Sequence, residues 1–434
     1  MTNDEPKKKK KRTKEHDLTQ IINDVQNAPG KKTKTDLLIY EIVSLAENVC
    51  HVNFSPWTPL VFGEKSKENY QNLRNLGSTL HIRLEPSKVL QYFDQKNLWT
   101  TVLHCNHLSW VSDTIYDERF VLRLLASVMG HGSELPLREF TEMGALSLAF
   151  SCTSSRNETT RKAAYYVLQR YLSLLNTLTI ETFDQRPILV FLLRLFKNSV
   201  ETEAQLVSNV ISQYFARAAK LSLNAESVVY PAVMSFLTKN CFHKMPFDSI
   251  PDLASMLFSS STQHHKEERL FLLDVVRYGC CEPNDYALIT SRGGFRSIIS
   301  LFSSPLTNNN ARLSILDLLK RLSTMPTPSH DLIHRLNLPS WLALQMGKKE
   351  VTHFERGYLG EIFSILISTE YQRIRDGEAS LPKGQLAAIR IAAKEAVERL
   401  RELTNDKDKR IADEIEKLMT KKWRGSRKST QVNE

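Results

Sequence analysis

The sequence is long enough to fold around a large core, with 434 residues of which 41% are hydrophobic and 24% are charged. These fractions are close to those of globular proteins and exclude a wholly disordered chain. Gly and Pro number only 15 and 16, against the roughly 30 and 20 expected from average usage. This scarcity disfavours turn-rich β folds and glycine-looped nucleotide folds, and it favours helices.

Positive charge is concentrated at the two ends of the chain. Basic residues outnumber acidic residues 58 to 48, which gives a formal net charge of +10. Residues 1–34 hold ten Lys and Arg against five acids, and residues 405–434 hold nine against six. The body between them is nearly neutral. This distribution indicates basic arms rather than a phosphate-binding surface built into the fold.

We predict that residues 1–35 form a disordered basic tail, because they contain few apolar side chains. The tail is charged and does not resemble an apolar signal segment. Six consecutive cations form its core: Lys7, Lys8, Lys9, Lys10, Lys11 and Arg12. Such a run is typical of a nuclear localisation signal. We therefore predict nuclear import, with a merely solubilising tail as the alternative.

Residues 36–115 are predicted to form an irregular helical lead, in which Pro56 and Pro59 interrupt a short apolar pattern. From 116 to 345 one amphipathic segment follows another, with apolar side chains at helical spacing. Four stripes show this spacing: Val121, Leu124, Leu125, Val128 and Met129; Ala164, Val167, Leu168, Tyr171, Leu172 and Leu175; Val207, Val210, Ile211, Tyr214, Phe215 and Ala218; and Ile315, Leu318, Leu319 and Leu322.

Helix-start signals agree with the stripes. Ser155 and Glu158 have the spacing of a capping box, and Pro187 and Pro231 stand where helices would begin. Helices with short connections, at roughly 40 residues per pair, predict an all-α fold: an α-solenoid of HEAT/armadillo-like helical hairpins. Because no sequence signature repeats, this prediction depends on element spacing alone.

The C-terminal part has a different composition. Residues 346–384 are predicted to form further helices and a linker, and residues 385–422 one long charged helix with a narrow stripe of Ile389, Ala392, Ala393, Ala396 and Leu400. Residues 423–434 are predicted to be a basic disordered tail. The candidate nucleic-acid-binding cations at this end are Lys421, Lys422, Arg424, Arg427 and Lys428.

No motif in the sequence indicates catalysis. P-loop, dinucleotide-binding and nucleophile-elbow patterns are missing. The pairs His104–His107, His264–His265 and Cys280–Cys281 each supply too few ligands for a metal site. The six cysteines have no CxxC spacing and indicate a reducing compartment. We predict no enzyme activity, no catalytic residue, no metal or cofactor, no small-molecule substrate and no membrane span.

Short segments along the chain occur in a distinctive order. They are Asp117-Glu118-Arg119-Phe120, Gly144-Ala145-Leu146-Ser147, Arg161-Lys162-Ala163-Ala164-Tyr165, Arg186-Pro187, Phe215-Ala216-Arg217-Ala218, Tyr230-Pro231, Glu267-Glu268-Arg269, Phe302-Ser303-Ser304-Pro305-Leu306 and Ser340-Trp341-Leu342. In this order the chain resembles the C-terminal domain of the nucleolar pre-ribosomal-associated protein 1 family, over about residues 116–344. No catalytic residue belongs to the family pattern.

The resemblance implies a helical-repeat scaffold in the nucleolus that acts in assembly and rRNA processing of the large (60S) ribosomal subunit precursor. Its implied partners are the pre-60S particle, pre-rRNA and small nucleolar RNAs, and other assembly factors including RNA helicases. Family members carry a longer helical-repeat region before this domain, so a shortened relative, a split gene and a paralogue all remain open. A helical-repeat protein-protein adaptor unconnected with ribosomes is the alternative function.

Overall fold

The computed structural model describes residue 49 and residues 86–106, 114–129, 134–291, 293–378, 380–403, 405–421 and 423. Within these ranges the chain forms nineteen α-helices and no β-strand, which confirms the all-α prediction. In chain order they are α1 Pro86–Gln91, α2 Gln95–His104, α3 Glu118–Val128, α4 Leu137–Met143, α5 Ala145–Cys152, α6 Glu158–Thr177, α7 Arg186–Ser199, α8 Asn209–Leu221, α9 Tyr230–Asn240, α10 Leu253–Leu257, α11 His265–Gly279, α12 Pro283–Thr290, α13 Gly294–Phe302, α14 Asn309–Thr324, α15 Pro326–His334, α16 Leu338–Met346, α17 His353–Arg375, α18 Lys383–Arg401 and α19 Asp406–Thr420.

The helices group into two compact units, Met1–Phe247 and Asp248–Glu434. The first unit is built around the short helix α5, all eight residues of which are buried. Helices α2, α3, α4, α6 and α8 all pack against it. Small side chains allow this close approach, and their hydroxyls are satisfied inside: Ser147 Oγ donates to the Ala216 carbonyl (2.7 Å) and Ser151 Oγ to the Val102 carbonyl (3.1 Å).

The apolar stripes that predicted the helices face the core. Every member of the four stripes is buried, except Leu172, which is half-buried. One helix start differs from the prediction. Helix α6 is capped by Asn157, whose Oδ1 accepts hydrogen bonds from the backbone N–H groups of Thr159 (2.9 Å) and Thr160 (3.2 Å). Ser155 lies two residues before Asn157, and its Oγ accepts from the Asn157 N–H (3.3 Å) instead of from the first turn of α6, so the predicted capping box is wrong.

The second unit stacks its helices in a regular order. Helix α11 packs on α14, α14 on α17, and α17 on α19, while α12 packs on α15. Polar contacts join each helix to its counterpart at sequence separations of 40 to 47 residues. Examples are Ser314 to Asp274 (40), Tyr286 to Asp331 (45), Ser303 to Gln345 (42), Lys320 to Glu361 (41) and Thr369 to Ser323 (46). This register confirms repeat stacking, with three helices in each of the first two repeats.

The predicted single helix over residues 385–422 is wrong, because the structure has two helices there. Helix α18 ends at Arg401, Leu403 is buried just after it, and α19 begins at Asp406 and packs back on α18. Asn405 caps α19 by accepting a hydrogen bond from the Lys407 N–H (3.0 Å). A buried leucine followed by a capping asparagine therefore turns the chain.

The remaining predictions fall partly outside the described residues. The predicted tail 1–35 and most of the lead 36–115 lie there; α1 and α2 belong to the end of the lead. Of the predicted tail 423–434 only Trp423 is described. Among the described helices, none combines the length and the apolar character that crossing a lipid bilayer requires.

Candidate functional site

The structure describes one of the predicted cation positions. The run Lys7, Lys8, Lys9, Lys10, Lys11 and Arg12 lies outside the described residues, as do Lys422, Arg424, Arg427 and Lys428. Lys421 stands directly after α19, and its Nζ lies 5.1 Å from the ring centroid of Tyr371 on α17. At this distance the ammonium group makes a cation–π contact.

Trp423 anchors the start of the C-terminal basic segment. Its indole Nε1 donates a hydrogen bond to the Leu418 carbonyl (3.1 Å), and its ring meets that of Tyr371 edge-to-face, with centroids 5.4 Å apart. The side chain is buried. The folded part of the second unit therefore extends to Trp423, one residue into the segment predicted as tail.

A row of charged side chains runs along helices α11, α14, α17 and α19. Glu361 on α17 accepts hydrogen bonds from Lys320 Nζ on α14 (2.7 Å) and Lys407 Nζ on α19 (3.2 Å). Burial raises the pKa of Glu361, but the hydrogen bonds and charges of the two lysines outweigh it, so its pKa lies below the usual value. One carboxylate thus links three stacked helices.

The same arrangement recurs one step away in this row. Asp317 on α14 accepts a hydrogen bond from the Tyr358 hydroxyl on α17 and forms an ion pair with Arg277 on α11. Burial and the Asp317 carboxylate both raise the pKa of Tyr358, so the phenol keeps its proton. On α14, Arg312 pairs with Glu355 of α17, with Nε to Oε1 at 2.7 Å. These cations are engaged by acids of the same unit and hold helix to helix.

A second polar cluster joins α15 to α17. His330 and His334 lie one turn apart on α15, with ring centroids 3.9 Å from each other. Both face Glu370 of α17: His330 Nδ1 is 2.8 Å and His334 Nε2 is 3.4 Å from Glu370 Oε1. One donor atom from each of the three residues lies within 4.8 Å of the other two. Two imidazoles and one carboxylate at this spacing are a ligand set that a metal ion can use.

Burial and charge define the chemistry of this cluster, which we call the His-Glu cluster. The Glu370 side chain is 0% exposed, while those of His330 and His334 are 36% and 19% exposed. Burial and the neighbouring His330 lower the pKa of His334, which favours a neutral imidazole. Arg373 Nη1 lies 3.8 Å from Glu370 Oε2 and donates to the Pro326 carbonyl (3.0 Å). One carboxylate oxygen therefore faces the imidazoles and the other faces a guanidinium.

The His-Glu cluster is not among the pairs noted in the sequence, which were His104–His107, His264–His265 and Cys280–Cys281. His107 lies outside the described residues, so the pair with His104 is not tested. Cys280 is buried, and burial raises the pKa of its thiol. The signal for the His-Glu cluster was the spacing of four between His330 and His334, which puts both rings on one helical face. Its third member is 36 residues further along, where only the fold brings it into reach.

The fold and these paired charges define an all-α repeat protein in which polar side chains of the second unit join one helix to the next. Residues 146–341 match the sequence profile of a family described as nucleolar pre-ribosomal-associated protein 1. This stretch of the chain is similar to that family, which confirms the predicted resemblance.

Two relatives carry the same name. The chain is 25% identical over 352 residues to nucleolar pre-ribosomal-associated protein 1 of Mus musculus, and 26% identical over 325 residues to that of Homo sapiens. The alignments cover 76% and 71% of this chain but only 15% and 14% of the relatives. The chain thus corresponds to about one seventh of each relative.

Proposed function

We propose that the chain is a non-catalytic scaffold that acts in the nucleolus, in assembly and rRNA processing of the large (60S) ribosomal subunit precursor. The observation that carries this proposal is the family match over residues 146–341, since the relatives are named as nucleolar and pre-ribosomal-associated. The large-subunit assignment adds what the sequence resemblance implies.

The structure supports a binding role for the repeats. Stacked helices offer extended surfaces to a partner, and the charged row from α11 to α19 is used inside the second unit. Contacts to phosphate would then fall mainly to the basic ends of the chain, in keeping with their composition. The proposed partners are pre-60S particles with their pre-rRNA and small nucleolar RNAs, and assembly factors including RNA helicases, contacted directly or through other proteins.

Nuclear entry is assigned by the same proposal to the run from Lys7 to Arg12. Replacing all six cations with Ala is expected to disperse a fluorescently tagged protein into the cytoplasm without lowering its melting temperature. An unchanged nuclear signal would refute the import role of this run and transfer it to the C-terminal cations or to a carrier protein.

The decisive experiment is sucrose-gradient sedimentation of the tagged endogenous protein, with large-subunit rRNA precursors probed in the same fractions. Co-migration with those precursors, abolished by ribonuclease, is the expected result. Small-subunit precursors probed in parallel serve as the control for the large-subunit assignment. Sedimentation as a free protein, or in complexes that contain no rRNA, would overturn the proposal in favour of a protein-protein adaptor.

A further inference from the structure

We propose that His330, His334 and Glu370 form a zinc-binding site that links α15 to α17 in the second unit. The His-Glu cluster supplies two imidazole nitrogens and one carboxylate oxygen, all within 4.8 Å of one another. Two histidines and a glutamate are a protein ligand set that Zn²⁺ accepts, with a fourth position left for water or another donor.

The distances suit a small tetrahedral ion. Metal–ligand bonds of about 2.0–2.1 Å at tetrahedral angles place neighbouring donor atoms about 3.3 Å apart. Glu370 Oε1 lies 2.8 Å from His330 Nδ1 and 3.4 Å from His334 Nε2. Two of the three donor pairs are therefore already close to this spacing, and the third lies within 4.8 Å. The two histidines share one helical face, because a spacing of four is close to one helical turn.

Unsatisfied polar atoms also point to a ligand. Among the described residues none forms a hydrogen bond with the buried atoms His334 Nε2 and Glu370 Oε2. Buried polar atoms normally have a partner, because leaving one unsatisfied costs about 1–3 kcal/mol. An ion on His334 Nε2 would satisfy that nitrogen. The Glu370 carboxylate is fully buried and has the Arg373 guanidinium 3.8 Å from its Oε2, so a cation on the Oε1 side would complete the compensation of its charge.

Arg373 is placed to orient the carboxylate. Its Nη1 is fixed by a hydrogen bond to the Pro326 carbonyl at the start of α15, and it faces Glu370 Oε2 rather than Oε1. The guanidinium thus turns Oε1 toward the imidazoles, as outer-shell partners of metal ligands commonly do. The partly exposed imidazoles leave a path by which an ion can enter from solvent.

The test is equilibrium dialysis of the untagged full-length chain against ZnCl₂, followed by elemental analysis, with thermal unfolding in ZnCl₂ and in EDTA. About one tightly bound zinc per chain is expected. A 100-fold excess over the dissociation constant should raise the unfolding temperature by about 5 °C or more. Substitution with Co²⁺ should give the visible absorption of a four-coordinate site.

Two variants and one control separate the ligands from other histidines. Glu370→Gln and the double variant H330A/H334A should each lose the bound zinc and the zinc-dependent shift in unfolding temperature. Because Glu370→Gln keeps the size and shape of the side chain while removing its charge, it tests the site even if the double variant folds poorly. The double variant H264A/H265A removes two adjacent histidines at the start of α11. It should keep the bound zinc and the zinc-dependent shift in unfolding temperature. Absence of bound zinc in the native chain, or equal loss in the control, would overturn the proposal.

Discussion

Gly360 on α17 packs against the Leu400 side chain of α18. A Cβ atom at this position would stand 2.5 and 2.8 Å from the two methyl carbons of Leu400 and 3.1 Å from its Cγ. Leu400 is fully buried, so its side chain has little room to move. The missing side chain of Gly360 is therefore a packing requirement of the α17–α18 contact.

We expect Gly360→Ala to lower the free energy of unfolding by about 1–2 kcal/mol. Helix propensity alone would stabilise the variant by about 1 kcal/mol, but overpacking a core typically costs about 1–3 kcal/mol. Gly384→Ala is the matched control, since a Cβ there meets no described atom within 4 Å, and it should be neutral or slightly stabilising. Urea denaturation measures the free energy of unfolding of both variants. A stabilised Gly360→Ala would show that Leu400 repacks freely.

Some individual residues could be assigned from the sequence and others could not. The spacing of apolar residues identified the buried side chains of α6, such as Val167 and Tyr171, because helical periodicity is a local property. The His-Glu cluster could not be found in this way. Glu370 joins the histidines only through the packing of α17 on α15, and no local pattern encodes that contact.

At the level of single helices, side-chain caps at the helix ends contribute to stability. The N-cap of α6 can be tested directly. Asn157→Ala removes the two hydrogen bonds that its Oδ1 accepts from the backbone N–H groups of Thr159 and Thr160, and a third from the Thr159 hydroxyl. We expect a loss of about 1 kcal/mol in the free energy of unfolding, the usual cost of removing an N-cap side chain. Thermal or urea unfolding checks it. A larger loss in Ser155→Ala than in Asn157→Ala would restore the capping box predicted from the sequence.

The contribution of Glu361 to the free energy of unfolding should depend on pH. The pKa of Glu361 is lowered in the folded chain: burial raises it, but hydrogen bonds from Lys320 and Lys407 outweigh burial. The unfolded chain then binds the proton more readily, so the stabilisation is present above the ordinary glutamate pKa and is lost as pH falls through the lowered value. We expect Glu361→Gln to cost about 1 kcal/mol at pH 7.

The difference between Glu361→Gln and the native chain should shrink toward zero in urea titrations near pH 3. Glu350 is an exposed acid of the same unit, and Glu350→Gln should leave stability unchanged at both pH values. If the Glu361→Gln difference grew as the solution became more acidic, the carboxylate would not be the stabilising form.

The stacking of helices as repeats could be predicted from the sequence, but the residues that pair between successive repeats could not. The sequence shows helix after helix at regular spacing, yet no residue pattern recurs, because each interface uses different side chains for the same task. Lys320 pairs with Glu361 at one step, and Tyr286 with Asp331 at another. The break at Leu403 was missed for a related reason. A charged sequence with one narrow apolar stripe fits one long helix as well as two shorter ones.

At the scale of the whole molecule, the cations of the second unit differ in their surroundings from the cations at the ends of the chain. Cations of the described second unit, such as Arg277, Arg312 and Lys320, are paired with acids across neighbouring helices. Pairing of this kind lowers what these groups can offer to a polyanion, since each phosphate contact would have to replace an existing ion pair. Any strong, salt-dependent binding of RNA should therefore come from the ends of the chain.

The salt dependence of RNA binding tests this division. Lys421, Lys422, Arg424, Arg427 and Lys428 provide five cations beside the Trp423 anchor. At about 0.7 per neutralised phosphate of single-stranded RNA, five contacts give a slope of about −3.5 for the logarithm of the binding constant against the logarithm of salt concentration. Replacing the five cations with Ala should remove most of that slope and weaken binding, while Lys320→Ala, which breaks an internal pair, should leave the slope unchanged. Fluorescence anisotropy with a short labelled RNA at several salt concentrations measures it. A slope that survives the replacement of the five cations would locate the phosphate contacts elsewhere, and a flat slope in the native chain would assign the proposed ribosomal association to protein contacts made by the repeats.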